Sequence, residues 1–161
     1  MSKKIQLSLL SVAFVSSLHA QTVVNLDEIV VTSATKSKQS IKDVTSNINV
    51  ITAEELEEKH FTSVTQALNT ISGLNIVSNG GMGKTASVKL RGFDSKRVLV
   101  LIDGVRYNDI TGLSGAPFEH LMVSDIKQIE IIKGAQSGIW GADATAGVIN
   151  IVTKDAKKGF S

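Results

Sequence analysis

Three places in this chain combine residue types that could do chemistry, and each lacks a companion the chemistry requires. Gly83-Lys84-Thr85 ends like a phosphate-cradling loop, and Gly81, Gly83 and Ala86 fit G-x-G-x-x-A. A phosphate loop needs glycine where Ser78 stands, and either motif must open a helix whose N-terminal N–H groups face the phosphate. Residues 87–91, Ser-Val-Lys-Leu-Arg, alternate instead like a strand. Ser114 stands in Gly112-Leu113-Ser114-Gly115-Ala116, which is not the G-x-S-x-G of a nucleophile elbow. His60 and His120 have no i,i+4 partner with which to hold a metal or act as a base. The acids Asp103, Asp109, Glu119 and Glu130 show no dyad spacing and read as turn or solvent-facing groups. The expectation is a protein that is not an enzyme and needs no cofactor or metal.

What the same residues suit is recognition. The segments 78–86 and 107–116 mix glycine with Asn, Ser, Thr and Asp, so backbone can approach a ligand closely while short polar side chains supply donors and acceptors. A rigid body must hold such loops. Asn47-Ile48-Asn49-Val50 alternates as a half-buried strand, and Thr52-Ala53-Glu54-Glu55 is a capping box for a short acidic helix ending by Phe61. A second box, Ser63-Val64-Thr65-Gln66, opens a helix that buries Val64, Ala67, Leu68 and Ile71, with Gly73 as its left-handed stop. Strands are predicted at 74–77, 87–91, 98–102, 129–133 and 148–152, with a tight turn at Asp103-Gly104 and helical signals around 124–127. The fold class expected is α/β (α+β): a small body with a mixed sheet of about four strands, short helices and long loops.

Composition fits one exported domain. The chain has 161 residues, no cysteine and 42% hydrophobic content, enough for one modest core. Residues 1–20 read as a secretory signal, with Lys3 and Lys4 ahead of an apolar stretch from 7 to 18. Without those two lysines the 17 basic residues fall to 15, equal to the 15 acidic ones, and a neutral chain argues against nucleic acid as a partner. Residues 21–43 are polar and read as a mobile leader, followed by a globular body over 44–155. One island interrupts the leader: Asp27-Glu28-Ile29-Val30-Val31-Thr32-Ser33 has high β-propensity and no hairpin partner adjacent in sequence. Such a strand is suited to joining the exposed sheet edge of another protein, the alternative being the first strand of this domain's own sheet.

The series Leu90-Arg91-Gly92, the run from Val98 to Arg106, Ile129-Glu130-Ile131-Ile132-Lys133-Gly134, and Gly141-Ala142-Asp143-Ala144-Thr145-Ala146-Gly147 with its following strand resembles the plug domain of TonB-dependent outer-membrane receptors. The resemblance covers residues 27–154 and implies a gate seated in a 22-stranded outer-membrane barrel, with its leader facing the periplasm. Residues 27–33 then resemble the TonB box, the segment gripped by the energy-transducing protein TonB. Asn79-Gly80-Gly81 with Gly83, Ser87-Val88, Asn108 and Gly112-Leu113-Ser114-Gly115 narrow the resemblance to cobalamin receptors. It implies substrate contacts at Thr85, Ser87, Asp94, Leu113 and Ser114, and barrel contacts at Arg91 and Lys133. Thr85 replaces an aliphatic residue of the family and Asp94 an amide. A carboxylate at Asp94 repels anionic ferric siderophores, the alternative ligands, and can still hydrogen-bond the amides of cobalamin. Lys133 replaces the usual arginine, keeping charge but losing the planar fork. The last residues, 156–161, fall where the first barrel strand of the family begins, so the sequence is expected to be a fragment of a longer receptor or else a free-standing plug. A rival of another class is a soluble periplasmic ligand-binding module.

Overall fold

Five segments rich in Val, Ile and Leu make the framework of this computed structural model, which describes residues 29–44, 47–81, 83–111 and 115–155. In chain order the elements are β1 (Val30–Val31), β2 (Gln39–Ser40), β3 (Ile48–Thr52), α1 (Ala53–Glu58), α2 (Val64–Leu68), β4 (Leu74–Ser78), β5 (Ala86–Leu90), β6 (Val98–Ile102), β7 (Val105–Arg106), β8 (Ile126–Lys133), α3 (Ser137–Trp140) and β9 (Gly147–Thr153). The main sheet has the order β3-β8-β9-β6-β7. Only β6 and β9 run parallel; the other neighbours are antiparallel.

Because side chains alternate across a strand, this sheet has two distinct faces. Ile129, Ile131, Ile149, Ile151, Val98 and Val100 point to one, where they pack with Leu56, Leu68, Val88, Leu90 and Phe118 in the main core. Leu99, Leu101 and Val148 point to the other and pack with Ala144 and Trp140. That second face also carries Glu130 and Asn150, fully buried and directly opposite each other in the β8–β9 register.

Local signals explain the helices. Thr52 Oγ1 accepts from Glu55 N at 3.4 Å, and the hydrogen bond at the Glu54 backbone followed by that of the Thr52 hydroxyl holds the Glu54 carboxyl below its ordinary range. Helix α2 buries Val64, Ala67 and Leu68 completely, and Gln66 Oε1 accepts from Ser63 N at 3.4 Å in the expected box. Gly73, at φ +82°, ends that segment. Asp103 (φ 50°) and Gly104 (φ 81°) form the two-residue turn joining β6 to β7.

Four departures from the sequence expectations have physical causes. The main sheet has five strands because the turn at 103–104 lets the short β7 pair with β6. Segments 74–77 and 87–91 pair with each other as a separate antiparallel hairpin. Residues 124–127 form no helix: Ile126 already pairs with Thr153 and extends β8, and short helical turns occur instead at Phe118–His120, Ser137–Trp140 and Ala142–Ala144. The strand around Val30 does find a hairpin partner, since β1 pairs with β2 across the turn at 32–38. The signal segment, Asp27, Glu28, Leu113 and Ser114 lie outside the described residues.

Candidate functional site

The two glycine-bearing loops converge on one cleft of about 600 Å3, with Thr85 and Ala86 on one wall and residues 107–111 and 115–117 on the other. Each wall is anchored. Asn79 N donates to Thr85 O at 3.1 Å, which closes the first loop on its hairpin. Asn108 is buried and behaves as a clip for the second: its Oδ1 accepts from Val100 N at 2.7 Å and its Nδ2 donates to Val98 O at 2.9 Å. Asp109 N donates to Gly115 O at 2.7 Å, which ties these two parts of the wall together. Gly115 (φ +78°) must be glycine, since a Cβ there would stand 2.7 Å from Ser95 Cβ. Beside Asp109, Ile110 is fully exposed. The cleft therefore pairs an apolar finger with a rim of amides, hydroxyls and Asp109, a surface suited to a large ligand bearing both apolar and amide groups.

Of the residues singled out for substrate, Thr85 lines this cleft. Ser87 lies two residues further along β5, half-buried and paired with Val77. Asp94 is exposed and follows the turn at the far end of β5, where Leu90 bridges Phe93, so it does not share the cleft with Thr85. Glu119, read in sequence as an ordinary solvent-facing acid, is half-buried against the cleft, and among the described residues its Oε2 has no hydrogen-bond partner.

Arg91 and Lys133 come together although 42 positions separate them. Arg91 N donates to Gly73 O at 2.7 Å, and Lys133 Nζ donates to Ser72 O at 3.3 Å, so both flank the turn after α2. Among the described residues neither has an acidic partner. Two cations on one turn, with Arg91 exposed, form a local basic patch.

The N-terminal strand sits on the opposite face of the sheet from the main core. Val31 is completely buried and Ser33 nearly so, while Val30 is 38% exposed. Ile29 and Thr32 are half-buried. Its anchors are side chains to which the sequence assigned no such role. Glu130 accepts from Thr32 N at 3.0 and 3.2 Å through its two oxygens and from Ser33 N at 2.8 Å. Gln128 Nε2 donates to Val30 O at 2.8 Å, Asn150 Nδ2 to Thr32 Oγ1 at 3.0 Å, and Trp140 Nε1 to Ser33 O at 2.7 Å. Lys36 stands 4.8 Å from the centroid of the Trp140 ring. Glu130 was expected to face solvent; it is instead wholly buried, and among the described residues it has no cationic partner. Backbone N–H groups and amides take the place of a counter-ion. The available signal was a Glu in Ile-Glu-Ile and an Asn in Ile-Asn-Ile, polar breaks in two otherwise apolar strands.

A mixed sheet thus carries a loop-lined cleft on the side of one core and a side-chain-clamped N-terminal strand on its other face. Residues 40–148 match the TonB-dependent receptor plug domain, and the chain belongs to that family. Over 158 residues, 94% of its length, it is 40% identical to the vitamin B12 transporter BtuB of Vibrio vulnificus strain CMCP6. It spans 26% of that relative, about a quarter of its length. Among solved structures, the siderophore receptor PiuA from Acinetobacter baumannii is 27% identical with a TM-score of 0.57, over 75% of this chain and 16% of PiuA. FpvA of P. aeruginosa, 16% identical with a TM-score of 0.66 over 80% of this chain and 16% of FpvA, shares the fold.

Proposed function

We propose that this chain is the gate of an outer-membrane receptor for a corrinoid, opened when TonB pulls on residues 27–33. The observation that carries the proposal is the placement of the two sites on opposite faces of one sheet. The cleft beside Thr85 and Ile110 belongs to the side of the main core, and the N-terminal strand lies on the side of Glu130 and Asn150. A ligand arriving from outside and a strand-binding protein in the periplasm can then act on the same body without competing for space. The work is done by force on the strand, with no chemical turnover. Arg91 and Lys133, free of acidic partners in the described residues, offer their charges to carboxylates on the inner wall of a barrel, whose lumen is polar.

A corrinoid is favoured over an iron chelate by the similarity to a vitamin B12 transporter along nearly the whole chain. The likeness to a siderophore receptor keeps a ferric siderophore as the second reading. Equilibrium binding of cyanocobalamin and of a ferric catecholate to outer membranes carrying the receptor separates them. Saturable cobalamin binding weakened by Ile110→Asp is expected. Saturable binding of the catecholate alone overturns the corrinoid reading.

A further inference from the structure

We infer that Gln128 and Glu130 form an edge clamp that imitates a neighbouring strand and keeps residues 29–33 closed to any partner strand. The inference deepens the reading of this segment as a strand handed to TonB, and rests on it. Ile41 N donates to Ile29 O at 2.9 Å, in the register Val30↔Ser40 and Val31↔Gln39. Backbone groups alternate sides along a strand, so Ile29 and Val31 face β2 while Val30 and Thr32 turn to the other edge. That second edge is where a partner strand would add. On it the Val30 carbonyl is taken by Gln128 Nε2 at 2.8 Å, and the Thr32 N–H by both oxygens of Glu130.

The clamp is an internal unit. Gln128 Nε2 also donates to Glu130 Oε1 at 2.8 Å, and Asn150 Nδ2 lies 3.4 Å from Glu130 Oε2, so the carboxylate is oriented from two sides before it meets the strand. Two adjacent N–H groups, of Thr32 and Ser33, converge on it, and its burial makes each bond strong while denying the group any water. A hydrophobic contact at Val31 alone would leave the outer edge of the strand ready for pairing. The side chains of β8 instead occupy two groups of that edge, the Val30 carbonyl and the Thr32 N–H, and so block its pairing. Strand addition and clamping use the same backbone atoms and are mutually exclusive.

The test compares Glu130→Gln and Gln128→Ala with the parent receptor solubilised from outer membranes, by hydrogen exchange and by titration with the soluble C-terminal domain of TonB. Glutamine at 130 keeps one acceptor and turns an NH2 toward an N–H. The clamp predicts that exchange at Val31, Gln39 and Ile41, whose bonds do not involve Glu130, accelerates together by at least about tenfold. Protection of Ile129, Ile131, Ile149 and Ile151 must persist, which shows the sheet intact. TonB-domain affinity should rise by a similar factor, with Gln128→Ala giving a smaller change in both readouts. If only Thr32 and Ser33 lose protection, or none does, the carboxylate is a local structural bond and the clamp is refuted. Should the segment loosen without any gain in TonB affinity, the competition is refuted. Absence of TonB binding in parent and variants alike would sink the strand-addition reading itself, and the exchange data would still decide the clamp. If Glu130→Gln unfolds β8 and β9, Gln128→Ala, at a half-exposed position, carries the same test.

Discussion

Replacing Val30 with proline separates docking of the N-terminal strand from its use. The ring removes one N–H and fixes φ near −65°, and the register directs the Val30 N–H away from β2. Docking uses only the Val30 carbonyl, through Gln128 at 2.8 Å, and proline retains that carbonyl. The bonds of Glu130 to Thr32 and Ser33 are likewise untouched. A partner strand loses more. One interstrand bond is worth about 0.5–1.5 kcal/mol net, and the partner's carbonyl left unpaired costs about 1–3 kcal/mol more. A total of about 2–4 kcal/mol corresponds to a loss of roughly 30- to 1000-fold in affinity for the energy-transducing protein. Uptake of labelled ligand by cells expressing the receptor, alongside equilibrium ligand binding and TonB-domain titration, reads the three consequences separately. Ligand binding should stay at the parental level while TonB affinity and accumulation fall. Accumulation within threefold of the parent would refute recognition by backbone pairing along this edge.

Other substitutions test the body. Gly147→Ala places a methyl group against Ile132 O and 2.5 Å from Leu90 Cδ2, and should cost about 1–3 kcal/mol or more as β8 and β9 are pushed apart; chemical denaturation measures it, and an unchanged midpoint contradicts the packing. Asn108→Ala removes both bonds to the backbone of β6 and should lower stability by about 1–3 kcal/mol, with a greater loss of ligand affinity than Ser87→Ala. Thr52→Ala removes the cap of α1, for a cost of about 1 kcal/mol. It also returns the Glu54 carboxyl toward its ordinary range. The folded value of Glu54 is depressed, so its contribution is present above the unfolded pKa and is lost as pH falls through the folded one; an NMR titration of Glu54 follows the change.

The elements that the sequence revealed are those whose information is local. Thr52 and Ser63 mark helix starts, Gly73 a stop and Asp103-Gly104 a turn, because each works through bonds within a few residues. Strands β6, β8 and β9 were legible as apolar runs since burial on two faces leaves no alternation to misread. What escaped was set by pairing at a distance. Residues 124–127 carry helical signals, yet Ile126 gains a ladder position opposite Thr153 that no local window contains. Glu130 resembled a surface acid because its partners, Thr32 and Ser33, lie 98 and 97 positions away. The cleft was half legible: loop composition marked both walls, while the clip made by Asn108 depends on the backbone of β6. Arg91 and Lys133 could be singled out only through the family resemblance, and their meeting at the turn after α2 appears only in three dimensions.

Asn150 ties the clamp to the hairpin that leads into the cleft. Its Oδ1 accepts from Gly104 N at 3.3 Å, in the turn between β6 and β7, and its Nδ2 serves Thr32 and Glu130. Asn150→Asp keeps the shape and the acceptor for Gly104 but sets a second carboxyl against Glu130, where an amide nitrogen now stands 3.4 Å from Oε2. Two charges at that separation repel by about 5 kcal/mol at an effective dielectric of about 20, more than the few hydrogen bonds holding the strand can offset. The repulsion drives the clamp open, so exchange at Val31 and Ile41 should accelerate without ligand. The same substitution in a Glu130→Gln background meets no charge, and its additional effect should vanish. A change of equal size in both backgrounds would show that Asn150 acts on β9 alone and that charge at Glu130 plays no part in holding the strand.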